Sequence, residues 1–206
     1  MQEPQADEMR SEAFRRHANA LLTVSQIFHN SDCKQGLVLE IAGSIVDGDE
    51  KQIIKPAQID TLIIDGCIIT DWARSLLPWV IPLTLRLLNM NSGQVGVLAS
   101  SMMDGLLELD LGGSDVCARD FKLRRFDAVN SLVLLDARLS GNSDDFLRSF
   151  PNLASLNLSS QDVSLPTINC LQAMPKLRTL ILAGRGEGID RFTEISNALP
   201  QCEVEG

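Results

Sequence analysis

The chain is poor in the side chains that carry most enzyme chemistry. Its 206 residues contain two histidines, His17 and His29, both in one N-terminal stretch. General bases and catalytic triads lean on imidazole, and no set of nucleophile, base and orienting group assembles around either one. His17 reads as a solvated helix residue and His29 as a cation near a helix C-terminus. The five cysteines (Cys33, Cys67, Cys117, Cys170 and Cys202) are spaced by 34, 50, 53 and 32 residues, with no Cys-x-x-Cys. Zinc sites need clustered ligands, so no metal and no cofactor is expected, and the thiols are read as reduced core hydrophobes. No apolar run approaches the roughly 20 residues that span a bilayer. The opening MQEPQADEMR lacks the basic and apolar regions of a secretory signal, which points to the cytoplasm. Basic charge is scarce as well. Lysine and arginine number 18 against 27 acidic residues, a net charge of -9, which argues against nucleic acid and anionic membranes as partners.

Two short motifs invite a chemical reading and do not sustain it. AGRGEG (183–188) stands where a phosphate loop would stand, but it lacks Gly-Lys-Ser/Thr and does not match Gly-x-Gly-x-x-Gly. LGGSD (111–115) recurs at the same place in an earlier segment, so both read as turns. DGDE, with Asp47, Asp49 and Glu50, lacks the ligand spacing of a calcium loop. Asp144 and Asp145 are read as first-turn helix charges.

What the chain does have is a repeat. Leu-x-x-Leu-x-Leu starts at Leu153 and again at Leu177, and related segments start at Gly36, Ile59, Pro82, Leu106 and Val129. The two inward strand positions become Leu39/Ile41, Leu62/Ile64, Leu85/Leu87, Leu109/Leu111, Leu132/Leu134, Leu156/Leu158 and Leu180/Leu182. Successive steps are 23, 23, 24, 23, 24 and 24 residues. Five residues after each pair a further apolar side chain recurs at Val46, Ile69, Val116, Leu139 and Val163, and fails at Ser92 and Glu187.

These residues resemble the leucine-rich repeat family, whose consensus is Leu-x-x-Leu-x-Leu-x-x-Asn/Cys-x-Leu. The resemblance covers Gly36 to the C-terminus. It implies an α/β leucine-rich repeat solenoid of about seven units: a curved right-handed arc with a parallel concave sheet, short convex helices and an N-terminal capping helix. The domain reading is an acidic tail and capping helix over 1–35 and a repeat domain over 36–206. The sequence departs from the family at the Asn/Cys position, which holds Ser44, Cys67, Met90, Ser114, Ala137, Gln161 and Arg185. Only Cys67 obeys it, so irregular turns are expected, some held by backbone contacts or water.

Apolar spacings of three and four residues predict helices in DWARSLLPWVI (from Asp71), QVGVLASSMM (from Gln94), SDDFLRSF (from Ser143) and IDRFTEISNAL (from Ile189). VDGDEKQIIKPAQ (46–58) reads as an irregular loop. The cap helix would use Phe14, Ala18, Leu21, Leu22, Ser25 and Phe28 as its apolar face. CEVEG at the far end would add a last partial strand.

Alternate strand residues point away from the core. They give the row Glu40, Ile63, Arg86, Asp110, Val133, Asn157 and Ile181, and beside it Asp65, Leu88 and Leu135, with Asp136 next. This face combines aliphatics with carboxylates, the usual mark of a protein interface. The expected function is a non-catalytic scaffold or adaptor that binds a partner protein there, one with an amphipathic or basic-flanked segment. The alternatives are a regulatory or substrate-recruiting subunit of an enzyme complex, or a bacterial effector acting on a host protein.

Overall fold

A computed structural model describes residues 38–42, 45–46, 57–69, 80–122, 124–159, 165–183 and 188–206. The expected acidic tail and cap helix, His17, His29 and Cys33 lie outside them. So do the DGDE segment, most of DWARSLLPWVI, Gln161, Arg185 and the centre of AGRGEG.

The described chain runs β1 (Val38–Ala42), β2 (Ile45–Val46), β3 (Ala57–Asp65), β4 (Ile68–Ile69), β5 (Val80–Leu88), α1 (Ser92–Ser101), β6 (Glu108–Asp110), β7 (Asp115–Cys117), α2 (Ala118–Phe121), β8 (Ser131–Val133) and β9 (Arg138–Ser140). It continues through α3 (Ser143–Leu147), β10 (Ser155–Asn157), α4 (Leu165–Gln172), β11 (Thr179–Ile181), α5 (Gly188–Ala198) and β12 (Glu203–Glu205). Eight strands form one sheet in the order β1-β3-β5-β6-β8-β10-β11-β12. Every neighbouring pair is parallel. Parallel neighbours require a crossover between them, and short helices serve in several of these returns. The fold is therefore α/β, with a parallel sheet and short helices.

The register carries the sequence period directly. Leu39 lies beside Leu62, Leu62 beside Leu85, Leu85 beside Leu109, and the line continues through Leu132, Leu156 and Leu180 to Val204. From Leu62 to Leu180 each member of this line is fully buried, and Ile64, Leu87, Leu111 and Leu134 match them in the second line. The leading positions Ile59, Leu106, Val129, Leu153 and Leu177 are buried too. CEVEG does form a last strand, β12. The recurring apolar position after each pair builds two small parallel ladders, β2 with β4 and β7 with β9, in which Val46 pairs with Ile69 and Val116 with Leu139. Ser92 breaks that pattern because the chain enters α1 there.

Opposite the sheet, α1 buries Val95, Leu98 and Ala99, which share one helical face by their spacing. Gly96 lets α2 approach closely: a Cβ there would collide with Asp120. Phe121, Phe126, Phe146 and Phe150 form one aromatic cluster, with Phe121 edge-on to Phe146 at 4.9 Å and Phe126 stacked on Phe150 at 5.0 Å. In α3, Asn142 caps the Asp144 amide at 2.9 Å, and Asp144 and Asp145 occupy the first turn. Two predicted boundaries shift. Val80 and Ile81 belong to β5 rather than to a helix, and Ala57 and Gln58 to β3 rather than to a loop. Helix α4 was not anticipated: LPTINCLQ holds poor helix formers, and its proline falls in the first turn, where a missing N–H costs nothing.

The expected irregular turns are not found in four consecutive units. Gly66, Asn89, Gly113 and Asp136 share a left-handed backbone, with φ of 58°, 53°, 67° and 54°. That conformation suits glycine, asparagine and aspartate. From each, the backbone N–H donates to the next unit: Gly66 to Leu88, Asn89 to Gly112, Gly113 to Leu135 and Asp136 to Ser159. The following residue differs in every turn, yet Cys67, Met90, Ser114 and Ala137 are all buried. Ser114 supplies a polar link between units: its hydroxyl donates to the Leu87 carbonyl at 2.7 Å and accepts from the Met90 N–H at 2.8 Å. Ser114→Ala should leave both backbone groups buried and unpaired, at a cost of about 1–3 kcal/mol. Urea unfolding checks this; a loss below about 0.5 kcal/mol would mean the hydroxyl is not needed there.

Candidate functional site

All eleven residues anticipated for partner binding fall in adjoining register rows of the large sheet or in its first turn position. Ile63, Arg86, Asp110, Val133, Asn157 and Ile181 align directly across β3, β5, β6, β8, β10 and β11, and Glu40 holds the matching position in β1. Asp65 pairs with Leu88 in the next row. Backbone bonds carry that row on through Gly112, Leu135 and Ser159. Because the residues between them point into the core, these rows form the outward face.

The face is less uniformly exposed than alternation alone implies. Leu135 is open, at 43%, whereas Ile63, Leu88, Val133 and Ile181 are half-buried. Gly112 lies between Leu88 and Leu135 with no side chain of its own, and a Cβ built there would meet Leu88 at 3.5 Å. The result is a shallow apolar strip running Leu88, Gly112, Leu135, with Val133 beside it.

Asp110 departs from the expectation of an open carboxylate. It is only 7% exposed. One oxygen accepts the Gly112 N–H at 2.9 Å and the other accepts Arg86 Nε at 2.9 Å. Asn157 repeats the first of these bonds two strands along, accepting the Ser159 N–H at 2.9 Å. The slot therefore needs an acceptor to close the strand end, and the charge that Asp110 adds is answered by Arg86 on the neighbouring strand. Asp65 is also engaged, accepting from Asn89 Nδ2 at 2.7 Å. Asp136 and Glu108 are not: among the described residues neither carboxylate has a partner. Arg86 is the one cation of the two outward rows, so the face presents aliphatics and negative charge with its positive charge already satisfied.

Alternation missed two features. A row of small hydroxyls (Thr61, Thr84, Ser131, Ser155, Thr179) runs along the same face, interrupted by Glu108. Leu107, 42% exposed, sits beside half-buried Leu83, to whose carbonyl its amide donates at 2.8 Å. Both follow from the strand register, which the residue pattern alone does not display.

Among the described residues, no group of three or more histidine, cysteine or acidic side chains could hold a metal ion. No described helix is long and apolar enough to cross a membrane. Cys170 and Cys202 are not poised as nucleophiles. Burial pushes Cys170 above its ordinary value, and the Asp144 carboxylate adds to this against the opposing effect of Arg148. Burial likewise raises Cys202, partly offset by Arg178. Both thiols stay protonated to higher pH than a free cysteine, so near pH 8 iodoacetamide should alkylate them more slowly in the native chain than in the urea-unfolded chain. Peptide mapping by mass spectrometry reads this, and equal rates would refute it.

The Asp110 slot gives a sharper test. Asp110→Asn keeps the bond to Gly112 and loses only an ion pair whose arginine side chain is 42% exposed, so it should cost less than about 1 kcal/mol. Asp110→Ala strands the Gly112 amide and should cost about 1–3 kcal/mol. Thermal unfolding of the two variants gives the order, and a reversed order would remove the capping role. No protein-family model matches the chain, and no curated protein matches it.

Proposed function

We propose that the chain is a divergent leucine-rich repeat protein whose large sheet lines the concave side of a curved solenoid and binds another protein there, without catalysis. The observation that carries this reading is the outward face: an apolar strip through Leu88, Leu135 and Val133, flanked by the carboxylates of Asp136 and Glu108, which have no partner among the described residues, with Arg86 held by Asp110. Apolar surface rimmed by charge is characteristic of protein interfaces. A partner segment with an apolar ridge and basic flanks complements it, whereas nucleic acid and anionic lipid would meet charge of their own sign. Action in the cytoplasm fits the free thiols at Cys117, Cys170 and Cys202.

The register supports the repeat reading, since eight parallel strands step by 23 or 24 residues and bring equivalent side chains into line. Affinity capture from native lysate with quantitative mass spectrometry tests the binding face. The wild type is compared with a Val133→Asp/Leu135→Asp chain and with Val97→Asp, a change at an exposed apolar residue on α1. A partner should be retained by the Val97 variant and fall at least tenfold with the sheet variant, circular dichroism being unchanged. Equal capture by all three folded chains would sink the proposal.

A further inference from the structure

We propose, resting on the reading of the outward sheet face as the binding surface, that the bare backbone at Gly112 seats one bulky apolar side chain of an amphipathic helix whose lysines or arginines border its apolar stripe. Gly112 stands between Leu88 and Leu135 in the outward row, its carbonyl accepting from Asn89 and the Leu135 carbonyl from Gly113. Adjacent strands lie about 4.8 Å apart, which sets the backbones of the two leucines about 10 Å apart and leaves room for one inserted side chain.

The backbone does not ask for glycine at this position. Gly113 beside it is left-handed at φ 67°, but Gly112 is not. A Cβ built on Gly112 would lie 3.5 Å from Leu88 Cδ2, 3.5 Å from the Leu135 carbonyl oxygen and 3.2 Å from Asp110 Oδ1. Only the Asp110 contact is tight, so a slight shift of that side chain would admit alanine. The gap is walled by two leucines and floored by backbone, and it opens outward beside Leu135, which is 43% exposed. Apolar anchors seated in such gaps carry much of the energy of protein interfaces.

Two further observations define what brings the anchor. Strands β5, β6, β8 and β10 each have a neighbour on both sides, so their backbone donors and acceptors are used within the sheet. An extended segment laid across them would leave its own N–H and C=O groups unpaired in the contact, whereas a helix satisfies them internally. Charge sets the borders. Asp136 follows Leu135 at the turn, and Glu108 stands at the start of β6, so the strip has a carboxylate without a partner among the described residues on either side. Arg86 is engaged by Asp110. Cations along both borders of the helix's apolar stripe answer this arrangement.

A fluorescein-labelled, alanine-based peptide of about 18 residues, long enough for a helix in isolation, is the probe. It carries a leucine stripe with lysines along both borders. Fluorescence anisotropy with the full chain should show saturable binding. Gly112→Leu fills the seat and should weaken binding at least tenfold, and Gly112→Ala should weaken it less. Shortening the peptide's central leucine to alanine should cost at least tenfold against the wild type but far less against Gly112→Leu, which already excludes that side chain. Circular dichroism establishes that both variants are folded. Asp136→Asn/Glu108→Gln should weaken binding roughly two- to fivefold, as loss of exposed ion pairs does. The proposal is overturned if the peptide does not bind, or if a version broken by a central proline binds equally well. It is also overturned if both Gly112 variants bind as the wild type does, or by a wild-type dimer that Gly112→Leu cannot form, since that would put a second copy on the face. Val133→Asp/Leu135→Asp separates the two readings. If it loses the peptide while the Gly112 variants keep it, only the seat is wrong; if it binds as the wild type does, the binding face falls as well.

Discussion

Each strand of the large sheet must set its two inward side chains directly beside those of its neighbours, and most other features of the molecule depend on that alignment. A parallel strand places side chains on alternate faces, so a slip of one residue would turn every inward leucine outward. With Leu62, Leu85, Leu109, Leu132, Leu156 and Leu180 all fully buried, each contributes about 1.5–3 kcal/mol relative to exposure, and a slipped register would forfeit several of these together. The 23- or 24-residue return is constrained by the same demand. It must lift the chain by one strand spacing and deliver the next leucine to its place. The left-handed residue in each described turn, at Gly66, Asn89, Gly113 and Asp136, keeps the backbone of successive turns in line, so that the ladder of hydrogen bonds continues past the strand ends.

Within that frame the returns vary freely. One is built around ten-residue α1, another contains only the four residues of α2, and the aromatic cluster of Phe121, Phe126, Phe146 and Phe150 fills the helical side where these short helices leave room. Ser149 ties this region together, with its hydroxyl on the Phe121 carbonyl at 3.1 Å and its own carbonyl accepting from Phe126 at 2.8 Å. Buried serines thus tie backbone groups of successive units together at two places, Ser114 and Ser149.

This division explains what could be read from residues alone. Strand register was legible because burial of leucine at a fixed step is a signal repeated seven times. The polar link at Ser114 was not, because serine is common at turns and only the three-dimensional approach of Leu87 and Met90 marks its hydroxyl as a bridge. The same holds for α4, whose composition argues against a helix and whose formation follows from packing Ile168 and Leu171 into the core. On the outward face, alternation located every candidate residue but could not say which charges were already spoken for.

That last distinction determines the electrostatics of the surface. Asp110 and Asn157 occupy equivalent positions and make the same bond to the amide two residues on, so geometry asks for an acceptor and not for a charge. Where the acceptor is aspartate, the extra negative charge sits nearly buried, and burying an unpaired carboxylate is costly. Arg86 on the adjacent strand offsets that cost through its Nε. Where the acceptor is asparagine, no cation is needed, and the residues beside Asn157 on the neighbouring strands are the apolar Val133 and Ile181. The positive charge of the two outward rows is thus consumed by the fold. Among the described residues, the carboxylates of Asp136 and Glu108 have no partner in the fold. They lie along the face beside the half-covered aliphatics, so the outward surface carries uncompensated negative charge where the sheet's own bonding is complete.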